Sequence, residues 1–327
     1  MQRGARTGDH GPSPSDPADV TIVVATLGDR PSLASTVRSL LASEGIAIEV
    51  IVVDQRPGPP DPSPWLDERT VGDERLRRIV TAAAGASAAR NLGIREARSE
   101  IVLLVDDDVV VEPTWARRFV DEVAADDDVA VAFCSVVAAP HDSRAGFVPD
   151  HVIDGDRTIR RGDRRDGIEG IGAGMAVRRD AVLALGGFDE ALGPGAPFRA
   201  GEDRDLSNRA IALGHAVRTV GSCSVVHHGY RSFAQGRELT QRDWFGIGAT
   251  YAKSLRGLDR SVARIVVVDV VVLGLLLPVA RSVVRRRASG LRRAVHFAAG
   301  LRAGLATPVD RETLRYALPA ERDAAGR

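Results

Sequence analysis

Three short runs constrain this chain more than anything else in it: residues 20–26 (VTIVVAT), 49–54 (EVIVVD) and 100–105 (EIVLLV). Each is almost continuously aliphatic and rich in β-branched side chains. A strand with one wet face would alternate apolar and polar residues, so these runs read as strands covered on both faces. Helical patterns lie between and after them. Pro31 opens one, with Leu33, Val37, Leu40 and Leu41 on a common face. Residues 86–97 and 115–124 read as two more helices, residues 76–81 as a short strand and 129–137 as a further one. Strands alternating with helices predict an α/β fold with a mostly parallel sheet flanked by helices. With only 4% aromatic residues, the core must be built mainly from Val, Ala, Leu and Ile.

Ligands of such sheets bind beyond the carboxyl ends of the strands. Thr26, Asp54 and the triplet Asp106, Asp107 and Asp108 all stand at such ends and converge on one rim. Two unit charges about 4 Å apart repel by roughly 4 kcal/mol at an effective dielectric near 20. Adjacent carboxylates on a half-buried rim therefore need a cation or raised pKa values. In an extended segment Asp106 and Asp108 face one side and Asp107 the other. An all-oxygen donor set suits Mg²⁺ or Mn²⁺. A solvated acidic turn explains a bare DDD equally well, and Asp126 to Asp128 read as such a turn.

Four other features bear on the rim. Asp54 can accept from the N–H of a pyrimidine base, or act as a turn residue. The segment GASAARNLG, residues 85–93, follows a strand and opens a helix; its small residues admit a ligand to the backbone, and Arg90 supplies positive charge. Glu202 and Asp203 start a polar helix (residues 202–213) after the Gly/Pro loop GPGAPFRAG, a placement that suits a general base or simply a helix N-terminus. His227 and His228 close the run SVVHH, where a neutral imidazole can complete a metal shell or sit at the surface.

The remaining chain is less regular. Residues 140–170 read as a mobile segment rich in Arg, Asp and Gly. Residues 172–177 read as a strand, 180–185 as a short helix, and 216–220 and 224–228 as two final strands. From Arg237 onward the pattern is helical. This divides the chain into a disordered tail (1–18), a catalytic α/β domain (19–232), a C-terminal helical extension (233–306) and a tail (307–327). The N-terminal stretch has no apolar central region and is not a secretory signal. Cys134 and Cys223 lie in apolar runs without metal-ligand spacing, as small buried residues of a reducing compartment do. A formal net charge of zero argues against nucleic acid as a partner.

Together these segments resemble the inverting glycosyltransferases of family 2, over roughly residues 20–228. VTIVVATLGDRPSLASTVRSLLA is similar to the family's first strand and helix, EVIVVDQ to its base-binding element and GASAARNLGI to its "G…ARN.G" segment. LLVDDDVVV resembles the DXD motif, GAGMAVRRDAVLALGGFDE the "GGFDE" block, and GEDRDLSNRAIALG the "ED.dL..R" helix. The resemblance implies a GT-A fold and a metal, Mg²⁺ or Mn²⁺, held by Asp106, Asp108 and His227. It also implies Asp203 as catalytic base and a pocket for a nucleoside-diphosphate sugar formed by Thr26, Asp54, Arg90, Asp106, Asp107 and Gly172. Asp54 favours UDP or dTDP mildly. The acceptor would be a hydroxyl of a glycan or of a lipid-linked molecule. Processive members of the family carry Q-x-x-R-W; residues 241–244 read QRDW, so a single transfer is expected.

Residues 265–280 (IVVVDVVVLGLLLPVA) are aliphatic but shorter than the roughly 20 residues that span a bilayer, and an arginine-rich stretch follows. That pattern suits a segment lying on an anionic membrane surface, or a buried helix. Localisation would then be cytoplasmic, peripheral on the inner face of the plasma membrane. Two rival readings remain at this point. A sugar nucleotidyltransferase would open with a Gly-rich G-x-G-x-R loop where this chain reads ATLGDRPS. A non-catalytic nucleotide-sugar-binding protein would have no use for Asp203.

Overall fold

The computed structural model describes residues 18–28, 31–56, 70, 72–163, 170–257, 272, 275–286 and 289–318. The expected N-terminal tail up to residue 17, the proline-rich stretch 57–64 and most of the aliphatic segment 265–280 lie outside the described residues. In chain order the elements are β1 (Val20–Thr26), α1 (Ser32–Leu41), β2 (Ile48–Asp54), β3 (Leu76–Val80), α2 (Ala86–Glu96), β4 (Ile101–Asp106) and β5 (Val109–Val110). Then come α3 (Trp115–Ala124), β6 (Val129–Ala138), β7 (Gly146–Phe147), β8 (Arg157–Ile159), β9 (Gly174–Arg178), α4 (Arg179–Ala184) and α5 (Glu202–Ala212). The chain continues through β10 (Ala216–His227), β11 (Arg231–Ser232), α6 (Phe233–Gly257), α7 (Leu277–Arg285) and α8 (Ser289–Ala306).

One sheet runs in the order β3-β2-β1-β4-β9-β6-β10-β5, with β8 also on β10. β1, β2, β3 and β4 pair in parallel, as do β6 and β10. β9 is wedged antiparallel between β4 and β6, so both of those strands still point the same way. The expected mostly parallel sheet is present. Alternate residues of each strand face opposite sides. Ile22 and Val24 of β1 pack with Leu33 and Val37 of α1 and Phe119 of α3 on one face. Val23, Ile51 and Val53 pack with Ile94 of α2, Val182 of α4 and Leu206 of α5 on the other. Truncating a side chain as enclosed as Phe119 costs about 3–5 kcal/mol.

Helix α2 lies unusually close to the sheet. A Cβ on Gly93 would come within 2.3 Å of Val23 Cγ1, so only glycine permits this approach. The close packing brings the first turns of α2, with Arg90, to the rim where β4 ends.

Several elements differ from the sequence reading. The two strands expected at 216–220 and 224–228 are one, β10 (Ala216–His227), which continues through a register shift between Val220 and Ser224 and keeps its pairing with β6. Three pairings tie down the irregular segment after Pro140: β7 with β11, β8 with β10, and a bridge from Val136 to His151. The C-terminal helices begin at Phe233, and α6 packs on α8 around Phe297, Tyr251 and Trp244. The stretch expected as a tail from residue 307 is described up to residue 318 and is anchored through Tyr316. Tyr316 is buried with Ala191, Leu192, Phe198 and Ala249 in a small core that joins this segment to the loop before α5.

Candidate active site at the carboxyl edge of the sheet

β4 ends at Asp106, and the next two residues form a turn rather than an extended run. The turn leads into β5, which pairs with the end of β10 in the register Val109 to His227 and Val110 to Val226. The His228 N–H donates to the Asp108 carbonyl at 2.7 Å and locks the turn against β10. Asp106, Asp108 and His227 thereby each present one ligand atom, all within 4.8 Å of one another. The expected pairing of Asp106 with Asp108 is met, but through a turn rather than through strand periodicity.

The imidazole orientation is informative. His227 Nδ1 lies 2.7 Å from the Pro149 carbonyl, which can only accept, so Nδ1 carries a proton. Its Nε2 then faces Asp108 Oδ1 at 3.1 Å. In the neutral ring this sets a lone pair against a carboxylate, which calls for a positive species between them. Burial disfavours the imidazolium, but the Asp108 carboxylate and the Pro149 carbonyl favour it more, and the pKa of His227 is raised. Two carboxylate oxygens and one imidazole nitrogen are a donor set that fits Mg²⁺ or Mn²⁺. The carbonyl bond on Nδ1 is the outer contact that commonly orients such a ligand. The side chain of His228 is exposed and takes no part in the cluster.

Asp107 turns back into the protein. Its Oδ2 accepts from the Thr26 hydroxyl at 2.6 Å, and Thr26 Oγ1 accepts from the Gly28 N–H at 2.8 Å. Thr26 and Asp107 therefore brace the ends of β1 and β4 against each other. Asp54, at the end of β2, is fully buried and accepts from Arg56 Nη2 at 3.0 Å and Arg78 Nη2 at 2.6 Å. Burial pushes its carboxyl up, but the two guanidiniums outweigh that and hold it below the usual carboxylate range. A base approaching Asp54 would meet this charged trio rather than a lone acceptor.

Arg90 links the rim to α5. Its Nη2 lies 3.0 Å from Asp106 Oδ1, and its Nη1 lies 3.1 Å from Glu202 Oε1 and 3.3 Å from Asp203 Oδ1. The guanidinium also sits over the Phe188 ring, 5.6 Å from its centroid. Asp203 Oδ2 accepts the Gly172 N–H at 2.9 Å. A Cβ on Gly172 would lie 2.8 Å from both Asp203 oxygens and from Arg90 Nη2, so a side chain there would push the carboxylate aside. Burial and the neighbouring Glu202 charge push the Asp203 carboxyl up to about 7, against the opposing pull of Arg90. Asp203 is thus a carboxylate poised near neutral pH and attached to Asp106 through one guanidinium.

Sequence reasoning missed the residues that hold this arrangement. Asn91 accepts from the Phe188 N–H at 2.7 Å and donates to the Phe188 carbonyl and to Glu190. The Ser87 hydroxyl donates to the Leu192 carbonyl at 2.7 Å. Both clip α2 to the loop that leads to α5. The available signal was the polar pair of Ser87 and Asn91 on an otherwise small, apolar helix face.

A mostly parallel sheet with a carboxylate–imidazole cluster beyond its fourth strand, and a poised carboxylate across an arginine, places the protein in the GT-A class of folds. A family model described as glycosyl transferase family 2 matches residues 21–186, about half of the chain, and the chain belongs to that family. It is 30% identical over 242 residues to the succinoglycan biosynthesis protein ExoU of Rhizobium meliloti, covering 68% of this chain and 64% of ExoU. Against ExoO of the same organism, also a succinoglycan biosynthesis protein, it is 35% identical over 122 residues, or 37% of this chain. The chain spans about a third of ExoO and somewhat under two thirds of ExoU. Among solved structures, a mannosyltransferase from Pyrobaculum calidifontis in complex with GDP-Man and Mn²⁺ superposes with a TM-score of 0.58. It is 17% identical and covers 91% of this chain and 90% of its own.

Proposed function

We propose that this chain is a metal-dependent inverting glycosyltransferase. It moves one sugar from a nucleoside-diphosphate sugar to a hydroxyl of a glycan or lipid-linked acceptor. The observation that carries the reading is the bridge made by Arg90, which places the Asp203 carboxylate and the Asp106 end of the metal-ligand cluster on one guanidinium. A general base and a diphosphate site must be that close for one in-line displacement.

Asp106, Asp108 and His227 would hold Mg²⁺ or Mn²⁺, which when bound supplies positive charge for the departing nucleoside diphosphate. Asp203 accepts the proton of the acceptor hydroxyl, and that oxygen bonds to the anomeric carbon as the bond to the diphosphate breaks. The leaving oxygen keeps the electron pair. A single attack from the opposite face inverts the carbon. Arg90 and the Gly172 N–H fix the orientation of the Asp203 carboxylate, and burial keeps its basicity matched to neutral pH. Arg90, Asp106 and Gly172 line the donor side, Thr26 and Asp107 brace the strand ends behind it, and the Asp54 trio with Arg56 and Arg78 would meet the base, read as that of UDP or dTDP.

The likeness to ExoU and ExoO supports a role in extracellular or envelope polysaccharide assembly. On α7 and α8 the side chains of Val283, Val284, Leu291 and Val295 are exposed. Arg281, Arg286, Arg292 and Arg293 lie among them. Among the described residues no helix is long and apolar enough to cross a membrane. The exposed apolar side chains and the arginines among them support peripheral binding to the anionic inner face of the plasma membrane.

Thermal unfolding with UDP, dTDP, GDP, CDP and ADP, each with and without Mn²⁺, tests the reading. A ligand that binds only the folded state raises Tm. One nucleotide should stabilise only with metal, and Asp108→Ala should remove the effect. No response to any nucleotide, or full turnover in Asp203→Asn, would sink the proposal.

A further inference from the structure

We infer that the cavity between the loop at Arg199, strand β11 and helices α6 and α8 is a subsite for a phosphoryl group carried by the acceptor. The inference rests on the transferase reading above and adds the acceptor's chemical class. The cavity has a volume of about 510 Å³, and its walls include Arg199, Arg231, Gln235, Arg242, Phe245 and His296. None of the residues assigned to donor, metal or base lines it.

Its position ties it to the reacting centre. Arg199 lies on the loop that delivers Asp203 to the start of α5. Arg231 lies just beyond His227, where β11 leaves the metal-ligand cluster. The two approaches to the active site therefore both end on this cavity, each with an arginine.

Its charge is not spent within the protein. Among the described residues neither Arg199 nor Arg231 has a carboxylate within 4.0 Å. Arg242 lies 3.3 Å from Asp243 across an exposed contact, and Glu238 is the one acid on the wall. Arg199 is held in place in two ways. Its guanidinium stacks over Phe245 at 5.5 Å, and its backbone sits at φ 66, in the left-handed region that non-glycine residues rarely adopt. Such conformations persist where the surroundings impose them, and they cluster at ligand sites. Planar guanidinium forks match phosphate oxygens in pairs, which a neutral sugar does not require.

The positive lining continues away from the site. A smaller cavity of about 110 Å³ shares Gln241 and His296 with the first and adds Arg237, Arg292 and Arg293. It opens along α8, which also carries the exposed Leu291 and Val295. A phosphoryl group could arrive on a lipid or on a soluble glycan phosphate, and the chemistry at the subsite is the same.

The test is calorimetric titration of the full-length protein with inorganic pyrophosphate in EDTA, which keeps the metal-dependent donor site silent. Saturable binding is expected, weakened at least ten-fold by Arg231→Gln and by Arg199→Gly, and unchanged in Asp108→Ala. Arg199→Gly removes the guanidinium and relaxes the backbone, so misfolding does not explain its loss. Nucleoside diphosphate with Mn²⁺ should show the reverse pattern, lost in Asp108→Ala and kept in both arginine variants. Geranyl pyrophosphate binding at least ten-fold tighter than inorganic pyrophosphate identifies a lipid-linked source, and equal affinities identify a soluble phosphate; either supports the subsite. Absent pyrophosphate binding, binding that survives the two arginine substitutions together, or binding of glucuronate in its place overturns it. Wild-type protein that binds nucleotide with Mn²⁺ but no pyrophosphate would refute the subsite and leave the transferase reading standing.

Discussion

Lys253 Nζ lies 2.6 Å from Asp205 Oδ1 and 2.5 Å from Asp189 Oδ2, with all three side chains almost fully buried. It is the only lysine in the sequence. Asp189 also accepts the Tyr316 N–H at 2.8 Å, and Asp205 pairs with Arg209 at 2.8 Å. One ammonium group thus joins α6, helix α5, the loop before it and the folded-back C-terminal segment. Removing one partner of a buried pair leaves an uncompensated charge, at about 3–5 kcal/mol. We predict a loss of that size for Lys253→Met in urea unfolding, with Asp203 less well ordered in the folded fraction. A loss under about 1 kcal/mol would mean that the two carboxylates find another partner.

The raised Asp203 carboxyl sets a pH dependence with a definite sign. The base must be ionised, so kcat/KM should rise with pH through a limb near 7, where the folded group titrates. Glu202 is a like charge that raises it, so Glu202→Gln should move the limb to lower pH. A limb that stays put in that variant would assign it to another group.

The same shift acts on stability. The folded value, about 7, lies above the ordinary 3.8. The favourable contribution is therefore fully present below the unfolded value and is lost as pH rises through 7. In metal-free protein at pH 8, Asp203→Asn should be more stable than wild type by on the order of 1 kcal/mol or more, while turnover is abolished. Thermal unfolding at pH 5 and pH 8 checks this: an equal effect at both would contradict the linkage.

The two adjacent histidines should separate cleanly. His227→Ala removes the ring whose Nε2 faces Asp108, and Mn²⁺ affinity should fall at least ten-fold. His228→Ala should stay within about two-fold, because only the backbone N–H of His228 touches Asp108. Manganese titration followed by electron paramagnetic resonance reads both; equal losses would remove His227 from the ligand set.

Gly172→Ala should act on rate more than on fold. The new Cβ would stand 2.8 Å from both Asp203 oxygens. Displacing a reacting group by about 1 Å can cost on the order of 100-fold in rate. We predict a fall in kcat of ten-fold or more with Tm little changed. A variant with wild-type kcat would show that Asp203 need not hold its present orientation.

The strands could be read from the sequence because a strand buried on both faces leaves a continuous aliphatic record. Val20–Thr26 and Ile48–Asp54 carry it plainly. Asp106, Asp108 and His227 stood out because carboxylates and imidazoles at the carboxyl ends of such strands are chemically expensive, and Asp203 because it opens a polar helix after a Gly/Pro loop. Residues that work through a distant partner left no such record. Nothing local in Asp54 announces Arg78, and nothing in Asp189 announces Lys253, because the pairing exists only once the chain has folded. The turn at Asp107 and Asp108 escaped for a related reason: the pairing of β5 with β10 decides it, not local propensity.

That pairing is two residues long, and it holds together parts of the chain that lie far apart in sequence. Whatever occupies the space between Asp108 and His227 therefore acts as a staple across the molecule. By mass action it would draw the late strand and everything after it into register with the first half. Amide exchange should be fastest at this seam in protein stripped of donor and metal, and slowest when both are supplied. In a cell short of nucleotide sugar, the chain would be not merely idle but also more open to proteases at this point.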